Sequence, residues 1–267
     1  MDSSILQHLI TQFDLPSDYA NAVHRYIEPI ADVIHNLAKS KPTPIIGING
    51  SQGSGKTTAA QFLKALLETQ YGHRVAVVSI DDFYHTKTNR EVLAKNVHPL
   101  FSTRGVPGTH DVNLTIKTLK ALKDVQKSES VSIPRFDKST DDRKPKDQWD
   151  IVNGPISIII FEGWCLGSPP MEHDVLYNPI NNLEKTEDIN ARWRTTLNQY
   201  LSQEYQDLFK MIDWLLMLKA PGFDVVYEWR QLQEKKLASA HPEMDIFSKK
   251  HQQPINNVVG VTMYFIL

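Results

Sequence analysis

One octapeptide combines glycine, serine, lysine and threonine at a spacing that suits phosphate binding. It reads Gly50-Ser51-Gln52-Gly53-Ser54-Gly55-Lys56-Thr57, is followed by Thr58, and fits G-x-x-x-x-G-K-[ST] at every fixed position. Its glycines let backbone N–H groups turn toward phosphate oxygens, and the positive end of the following helix faces the same anion. Lys56 adds a charge for the β- and γ-phosphates, and the Thr57 hydroxyl is placed to bind Mg²⁺. We therefore expect the loop to bind a nucleoside triphosphate; a chance Gly/Ser loop is the alternative.

Acidic residues follow two of the predicted strands. Asp81 and Asp82 come directly after the apolar run 75–80, and Glu162 comes after the apolar run 156–161. Ligands of open parallel sheets bind beyond the carboxyl ends of the strands, where one Asp can accept a hydroxyl proton and its neighbour can hold Mg²⁺ through water. Glu162 occupies the place of a Walker-B carboxylate, which assists Thr57 with the metal. A turn or helix cap is the alternative for the Asp pair.

Single cations are spaced through Gly- and Pro-rich loops beyond the Asp pair. They are Arg104 and His110, which stand near Asp111, and then Arg135, Lys138 and Arg143. Arginine suits the bidentate binding of carboxylate or phosphate, so this group is a candidate binding site for an anionic acceptor. For any one of these cations, a solvated surface charge is the alternative.

A parallel sheet is needed to bring these residues together. The apolar run 44–48, the phosphate loop, a helical pattern at 56–70 and the β-branched run 75–80 make one βαβ unit. The patterns predict further strands at 131–134, 156–161, 212–218 and 258–266, further helices at 112–125, 189–209 and 223–237, and loops at 81–111 and 135–149. We therefore expect an α/β protein with a three-layer P-loop NTPase fold and a mostly parallel, doubly wound sheet.

Two helical patterns precede the sheet, separated by Pro16-Ser17-Asp18 and ended by Pro42 and Pro44. We interpret residues 1–40 as a helical N-terminal appendage and residues 41–267 as the P-loop domain, together one structural domain. Hydrophobic residues make up 41% of the chain, which is enough for a sizeable core.

Charge and composition narrow the classes of partner and compartment. The formal net charge of −2 gives no reason to expect nucleic acid or an anionic membrane as partner, and favours a small ligand held by local charge. Cys165 is the single cysteine, so an intramolecular disulfide is excluded and a reducing compartment is favoured. Residues 1–5 lack the pattern of a secretory signal and no run is long enough to span a bilayer, so we expect a cytoplasmic protein. The oligomeric state stays open.

Several sequence blocks, taken together and in order, resemble the D-glycerate 3-kinase family. That family belongs to the group of P-loop kinases that includes uridine kinase, phosphoribulokinase and pantothenate kinase. The blocks are Gly50–Thr57, Ser79–Tyr84, Arg104–Asp111, Ile133–Ser139, Phe161–Gly167 and Val226–Glu234. The resemblance implies a P-loop kinase domain that uses ATP and Mg²⁺ to phosphorylate a hydroxyl of D-glycerate or a similar small hydroxy acid.

The resemblance also implies a role for each matching residue. The catalytic set is Asp81 as base with Lys56, Glu162 and Arg230, the last of which would reach over the transferring phosphate. Thr57, Glu162 and Asp81 are the expected metal ligands, and residues 50–58 the expected nucleotide site. The acceptor is expected to contact Asp82, Tyr84, Arg104, His110, Asp111, Arg135, Asp137, Lys138 and Arg143.

Other functions stay open at this point. A uridine- or pantothenate-type acceptor is the first alternative, because Phe136 offers an aromatic surface for a base. A nucleotide-dependent switch or motor is disfavoured, because neither a guanine-recognition motif nor an LSGGQ signature occurs. A non-catalytic nucleotide-binding module is the third alternative. It is suggested by a departure at the C-terminus, where Pro242–Phe247 matches the acidic segment of relatives only loosely.

Overall fold

The computed structural model of the chain describes residues 2–222 together with residues 225, 226, 228 and 229. Three predictions lie outside these residues: the strand at 258–266, the segment Pro242–Phe247 and the candidate catalytic residue Arg230. The predicted helix at 223–237 is described at four positions, and all four are helical.

The strands of the described part form one central sheet and two small hairpins. They are β1 (Ile45–Gly50), β2 (Val75–Ser79), β3 (Ser130–Ile133), β4 (Phe136–Asp137), β5 (Asp142–Arg143), β6 (Asp150–Asn153), β7 (Ile158–Gly163) and β8 (Trp214–Leu218). The central sheet has the order β2-β7-β1-β8 and every pairing in it is parallel. Its strands β1 and β7 are buried along their whole length, which explains their continuous apolar sequences.

Helices cover both faces of this sheet. They are α1 (Ser3–Gln12), α2 (Tyr19–Ala22), α3 (Glu28–Ser40), α4 (Lys56–Tyr71), α5 (Lys87–Asn96), α6 (Val112–Asp124), α7 (His173–Leu176), α8 (Asn182–Glu187), α9 (Arg192–Ser202) and α10 (Glu204–Phe209), with a π-helical turn, Val23–Ile27, between α2 and α3. Across the described residues, every helix falls short of the length and apolar character that crossing a bilayer requires.

Two cores lie on opposite faces of the sheet. One joins α1, α3 and α4 to the β-strand side chains Ile46, Ile48, Ile158 and Ile160. The other joins α6 and α10 to Ala76, Val78, Ile159 and Phe161. Alternate residues of each strand therefore face different helical layers, which confirms the predicted α/β fold with a parallel, doubly wound sheet. The N-terminal helices share the first core with α4 and the sheet; the domain boundary at residue 40 stays a prediction.

The strand that carries Glu162 differs from its prediction by two residues. Strand β7 starts at Ile158 and runs through Gly163, so Glu162 lies inside the strand instead of following it. Its backbone stays in register with Ile48 of β1 and Ser79 of β2. The prediction placed Glu162 at the end of the buried run as its first charged residue, and in the structure the Thr57 hydroxyl pairs its carboxylate inside the strand.

Residues 81–111 were predicted to form one loop, and this prediction is wrong. It contains the 3₁₀ turn Ile80–Phe83, helix α5 and the 3₁₀ turn Pro99–Ser102. Helix α5 buries only the side chain of Arg90 completely, so it has no apolar stripe that a periodicity search could find. Its N-terminus is capped by Thr86, whose side chain accepts a hydrogen bond from the Asn89 N–H.

The second predicted loop, 135–149, contains the short hairpin β4–β5, and it is bracketed by a second antiparallel hairpin, β3–β6. Both hairpins stand outside the central sheet. Strand β6 was not predicted, because its residues are mostly exposed and show no apolar alternation. The predicted helix 189–209 is divided into α9 and α10 at Gln203, whose backbone leaves the helical region.

Candidate active site

The phosphate loop joins the end of β1 to the start of α4 in a conformation that needs glycine. Gly53 and Gly55 have φ angles of 78° and 87°, in the left-handed region that only glycine adopts freely. A Cβ atom at Gly50 would lie 2.5 Å from Ser54 Oγ, and one at Gly53 would lie 2.7 Å from the Cβ of Trp229. The loop is therefore tightly packed as well as turned, and residue 229 lies against it.

Polar groups of the loop are held ready for an anion. The Oγ atoms of Ser51 and Ser54 are buried and have no hydrogen bond partner among the described residues. The Lys56 ammonium donates to the carbonyl oxygen of Ser51 at 2.9 Å. Burial lowers the pKa of Lys56, and the carboxylate of Glu162 opposes that shift. Two unpaired hydroxyls and a buried ammonium fit a polyphosphate, while Gln52 is exposed on the loop and Thr58 is half-buried.

A hydroxyl and a carboxylate meet next to this loop. Thr57 Oγ1 donates to Glu162 Oε1 at 3.0 Å, which joins α4 to β7. Burial raises the pKa of Glu162, and the nearby Lys56 opposes the shift. Among the described residues, no three His, Cys, Asp or Glu side chains assemble into a metal site of their own. These two oxygen ligands therefore fit Mg²⁺ of the kind that completes its shell with phosphate and water.

Asp81 follows β2 and keeps its charge. Its carboxylate accepts hydrogen bonds from the Lys138 ammonium at 3.0 Å and from the Tyr84 hydroxyl at 3.1 Å. Burial by itself raises the pKa of Asp81, but the charge and the hydrogen bond of Lys138, together with the charges of His110 and Lys56, lower this pKa to about 2. Asp81 and Lys56 each influence the pKa of the other, so the ionised carboxylate stands within electrostatic range of the phosphate loop.

Asp82 points elsewhere and binds the hairpins. Its Oδ1 accepts from the Phe136 N–H at 3.1 Å, and its Oδ2 accepts from Arg135 Nη1 at 2.5 Å. The other terminal nitrogen of Arg135 donates to Asp150 Oδ2 at 2.5 Å. Burial raises the pKa of Asp82, and Arg135 opposes that shift. These contacts connect the β3–β6 hairpin to the end of β2. Asp82 and Arg135 therefore bind each other in this structure.

Asp111 and Arg143 form a second tie. Asp111 caps α6 through its Oδ1, which accepts from the Leu114 N–H at 3.0 Å. Its Oδ2 accepts from Arg143 Nη1 at 3.3 Å. The Arg143 guanidinium also donates to the Tyr84 carbonyl oxygen at 2.8 Å. The pair thus joins the β4–β5 hairpin to α6 and to the turn after β2.

Arg104 belongs to a cluster around Phe136. It forms an ion pair with Asp141 and lies 5.4 Å from the centroid of the Phe136 ring. Asp141 also binds Arg90 at 3.0 Å, and the buried Arg90 guanidinium is 5.9 Å from the same centroid. The Tyr84 ring meets Phe136 edge-on at 5.4 Å. Phe136 is thus surrounded by two guanidinium groups and a second aromatic ring.

The turn of the β4–β5 hairpin places Lys138 next to Asp81. Asp137 precedes Lys138, and its carboxylate accepts from the Ser139 N–H at 2.8 Å and from the Ser139 hydroxyl. These hydrogen bonds lower the pKa of Asp137 and stabilise the turn. The Lys138 side chain is more exposed than those of Arg104, Arg135 and Arg143, and its ammonium is bound to Asp81.

His110 is the most enclosed of the candidate residues. Its ring stacks on Tyr84, with centroids 4.3 Å apart, and its Nδ1 lies 2.6 Å from the Tyr205 hydroxyl. Its Nε2 is buried and has no partner among the described residues. Burial lowers the pKa of His110 to about 3, so the imidazole is neutral at physiological pH.

Three residues of this region had no local sequence signal. Tyr205 lies on the apolar side of α10, where it looks like an ordinary core residue. Asp141 and Asp150 stand in a densely charged segment, where pairing cannot be read from order along the chain. Only the folded arrangement shows that Asp141 joins two arginines and that Asp150 completes the contacts of Arg135.

Comparisons with known proteins agree with this architecture. The Phosphoribulokinase / Uridine kinase family model matches residues 45–168, the segment from β1 past β7. A Schizosaccharomyces pombe protein named uncharacterized kinase mug58 is 36% identical over 230 residues, which cover 79% of each chain. The chloroplastic D-glycerate 3-kinase of Arabidopsis thaliana is 34% identical over 196 residues, which cover 71% of this chain and 40% of that protein.

A solved structure is also similar. D-glycerate 3-kinase from Cryptococcus neoformans var. grubii aligns with a TM-score of 0.69 at 27% identity, over 88% of this chain and 86% of that one. The chain therefore belongs to the phosphoribulokinase/uridine kinase family of P-loop kinases.

Proposed function

We propose that the protein transfers the γ-phosphoryl group of MgATP to a hydroxyl of D-glycerate or a similar small hydroxy acid. The observation that carries this proposal is the ionised Asp81 carboxylate, which accepts a hydrogen bond from the Lys138 ammonium and interacts electrostatically with Lys56 of the phosphate loop. A carboxylate that is charged, enclosed and within reach of a donor phosphate is suited to accept a hydroxyl proton.

The donor side of the reaction follows from the loop. Backbone N–H groups, the two buried serine hydroxyls and Lys56 would hold the phosphates, and Thr57 with Glu162 would hold Mg²⁺. When bound, Mg²⁺ neutralises negative charge on the phosphates. Arg230 remains a prediction for this side.

The acceptor side follows from the charges around Asp81. The Lys138 ammonium and the partly exposed Arg104 are the cations available to a small carboxylate. In the reaction, the acceptor oxygen bonds to the γ-phosphorus while the bond from that phosphorus to ADP breaks, and Asp81 takes the hydroxyl proton. An anionic hydroxy acid uses both the base and the cations.

The surroundings of Phe136 argue against a nucleoside acceptor. A nucleobase needs an open aromatic face, but Phe136 is buried and is packed by Arg90, Arg104 and Tyr84. The two relatives named D-glycerate 3-kinase support the same choice of acceptor.

ADP release from MgATP, measured with D-glycerate, L-glycerate, uridine and pantothenate, tests the proposal. We expect turnover with D-glycerate, and ³¹P NMR of the product identifies the phosphorylated hydroxyl. Asp81→Asn should lower kcat by roughly 10² to 10⁴, the range for a general base, while ATP affinity is kept. Turnover of uridine or pantothenate but not glycerate would overturn the acceptor, and full activity of Asp81→Asn would overturn the mechanism.

A further inference from the structure

A buried tyrosine outside the family-model segment contacts His110. Tyr205 lies on α10 and is completely buried. Its hydroxyl oxygen accepts a hydrogen bond from the Gly108 N–H at 3.0 Å and lies 2.6 Å from His110 Nδ1. Gly108 and His110 belong to the loop that precedes α6, so one hydroxyl binds two groups of that loop.

The hydrogen bonds that this contact allows differ between the two neutral tautomers of His110. If Nδ1 carried the proton, it would donate to Tyr205, and the Tyr205 hydroxyl hydrogen would be buried without an acceptor among the described residues. If Tyr205 donates to Nδ1, its oxygen still accepts from Gly108 and every group in the contact is paired. The second arrangement leaves fewer buried polar groups unsatisfied, and it places the imidazole proton on Nε2.

The Nε2–H of that tautomer has no partner among the described residues. A buried unpaired donor in a native structure costs free energy and calls for an explanation. The His110 ring stacks on Tyr84, and the Tyr84 hydroxyl donates to Asp81. The Nε2–H donor of His110 therefore belongs to the same cluster of side chains as the candidate base. The Asp81 charge also has the largest electrostatic effect on the pKa of His110, which it raises against burial.

We propose that Tyr205 is a positioning residue that fixes His110 as the Nε2–H tautomer, so that His110 offers a neutral donor to an oxygen of the phosphate acceptor. The acceptor part of this inference rests on the proposed function; the tautomer part does not. A neutral donor suits an acceptor that already carries one carboxylate, because it adds a directional contact without a further charge.

Tyr205→Phe tests the inference, because it removes the hydroxyl and keeps the ring. In ¹⁵N NMR of the full chain, wild-type His110 should show a protonated Nε2 and an unprotonated Nδ1, with His110→Gln used to assign the signals. In Tyr205→Phe both nitrogens should shift toward a mixture of tautomers. Tyr200→Phe is the matched control, since the Tyr200 ring packs on Gly108 from α9 and should leave the His110 signals unchanged.

Kinetics form the second arm. Tyr205→Phe should raise KM for D-glycerate about tenfold, with KM for ATP and kcat near wild-type values. His110→Gln supplies an amide donor that does not depend on Tyr205, so adding Tyr205→Phe to it should change KM for D-glycerate less than twofold. A wild-type Nδ1–H signal, or a Tyr205→Phe enzyme with wild-type tautomer and KM, overturns the inference.

The two arms also separate this inference from the proposed function. If D-glycerate is phosphorylated and the His110 tautomer is independent of Tyr205, the inference fails and the proposed function stands. If the tautomer depends on Tyr205 as expected but D-glycerate is neither phosphorylated nor shifts the Nε2–H signal, the acceptor assignment fails and only the tautomer assignment holds. If Tyr205→Phe does not fold, the wild-type NMR signals still decide the tautomer.

Discussion

The two sides of the candidate site satisfy their polar groups differently. The P-loop side is defined as residues 50–58 with Glu162. Within the part of the chain that the structure describes, two of its serine hydroxyls are buried without partners, and Lys56 donates to a backbone carbonyl of its own loop. On the acceptor side, defined as Asp81, Asp82, Arg104, His110, Asp111, Arg135, Lys138 and Arg143, every carboxylate is bound to a cation. The polar groups of the first side are therefore available to a ligand, whereas the charged groups of the second side mostly bind one another.

This difference distinguishes residues that bind a ligand from residues that stabilise the fold. Groups that stay unpaired in the fold have their full hydrogen-bonding capacity available for a ligand, and their removal costs binding more than stability. Groups joined in partly buried ion pairs hold segments together, and removal of one partner strands the other. Charges that look alike in the sequence therefore have different expected effects when mutated.

The largest contrast is expected from Lys56→Met on the P-loop side. kcat/KM for ATP should fall at least about 100-fold, because a charge that stabilises the transferring group is lost. The free energy of unfolding should not fall, since burial lowers the pKa of Lys56 and the fold thus disfavours its charge. Steady-state kinetics and urea denaturation measure the two effects, and Lys64→Met, on the same helix, is the control. A loss of stability without a loss of ATP turnover would contradict this division.

Asp82→Ala should show the opposite pattern. It leaves the Phe136 N–H unpaired and leaves Arg135 with Asp150 alone, so the free energy of unfolding should fall by about 2 kcal/mol. KM for ATP should stay near its wild-type value. Asp207→Ala, which breaks an exposed ion pair with Lys210, should cost less than about 1 kcal/mol in the same urea titration. Equal costs for the two variants would show that Asp82 does not hold the hairpins.

His110, on the acceptor side, should make the free energy of unfolding of the protein depend on pH. Its pKa of about 3 in the folded state lies below the ordinary value of 6.5, so the unfolded chain binds one more proton between these values. This contribution is complete above pH 6.5 and is lost as the pH falls toward 3, with a slope of up to about 1.4 kcal/mol per pH unit. Urea titrations from pH 7 to pH 4 should show a steeper loss for wild type than for His110→Gln. Parallel curves would mean that His110 is protonated as easily in the folded state as in the unfolded chain.

A smaller loss of stability than that of Asp82→Ala is expected from Lys138→Met, because the Lys138 side chain is exposed. Without it, burial should raise the pKa of Asp81 above about 2. The acid limb of the kcat/KM profile for the acceptor should therefore move to higher pH, while activity near pH 8 changes mainly through KM. Lys144→Met, on the same segment beyond β5, is the control. An unchanged acid limb would exclude Lys138 as the group that keeps Asp81 ionised.

Much of the fold was predictable because its signals are local. The buried runs of β1, β2 and β7 and the turn chemistry of the phosphate loop each occupy a few consecutive residues, and their order predicts a parallel sheet. Helix α5 and strand β6 were missed because neither buries an apolar face of its own. Such elements are stabilised by Arg90 and by hairpin pairing, which depend on residues far away in the chain.

The candidate site divides along the same line. The amino-acid sequence by itself determined the phosphate loop and the position of Asp81 and Asp82 after β2, because glycine conformations and strand termini depend on neighbouring residues. Only the tertiary structure decided which charges pair, that Glu162 lies within β7 beside Thr57, and that Tyr205 meets His110 across 95 positions of the chain. Ion pairs and buried hydrogen bonds are chosen by distance in space after the layers have packed, and the order of residues along the chain does not contain that distance.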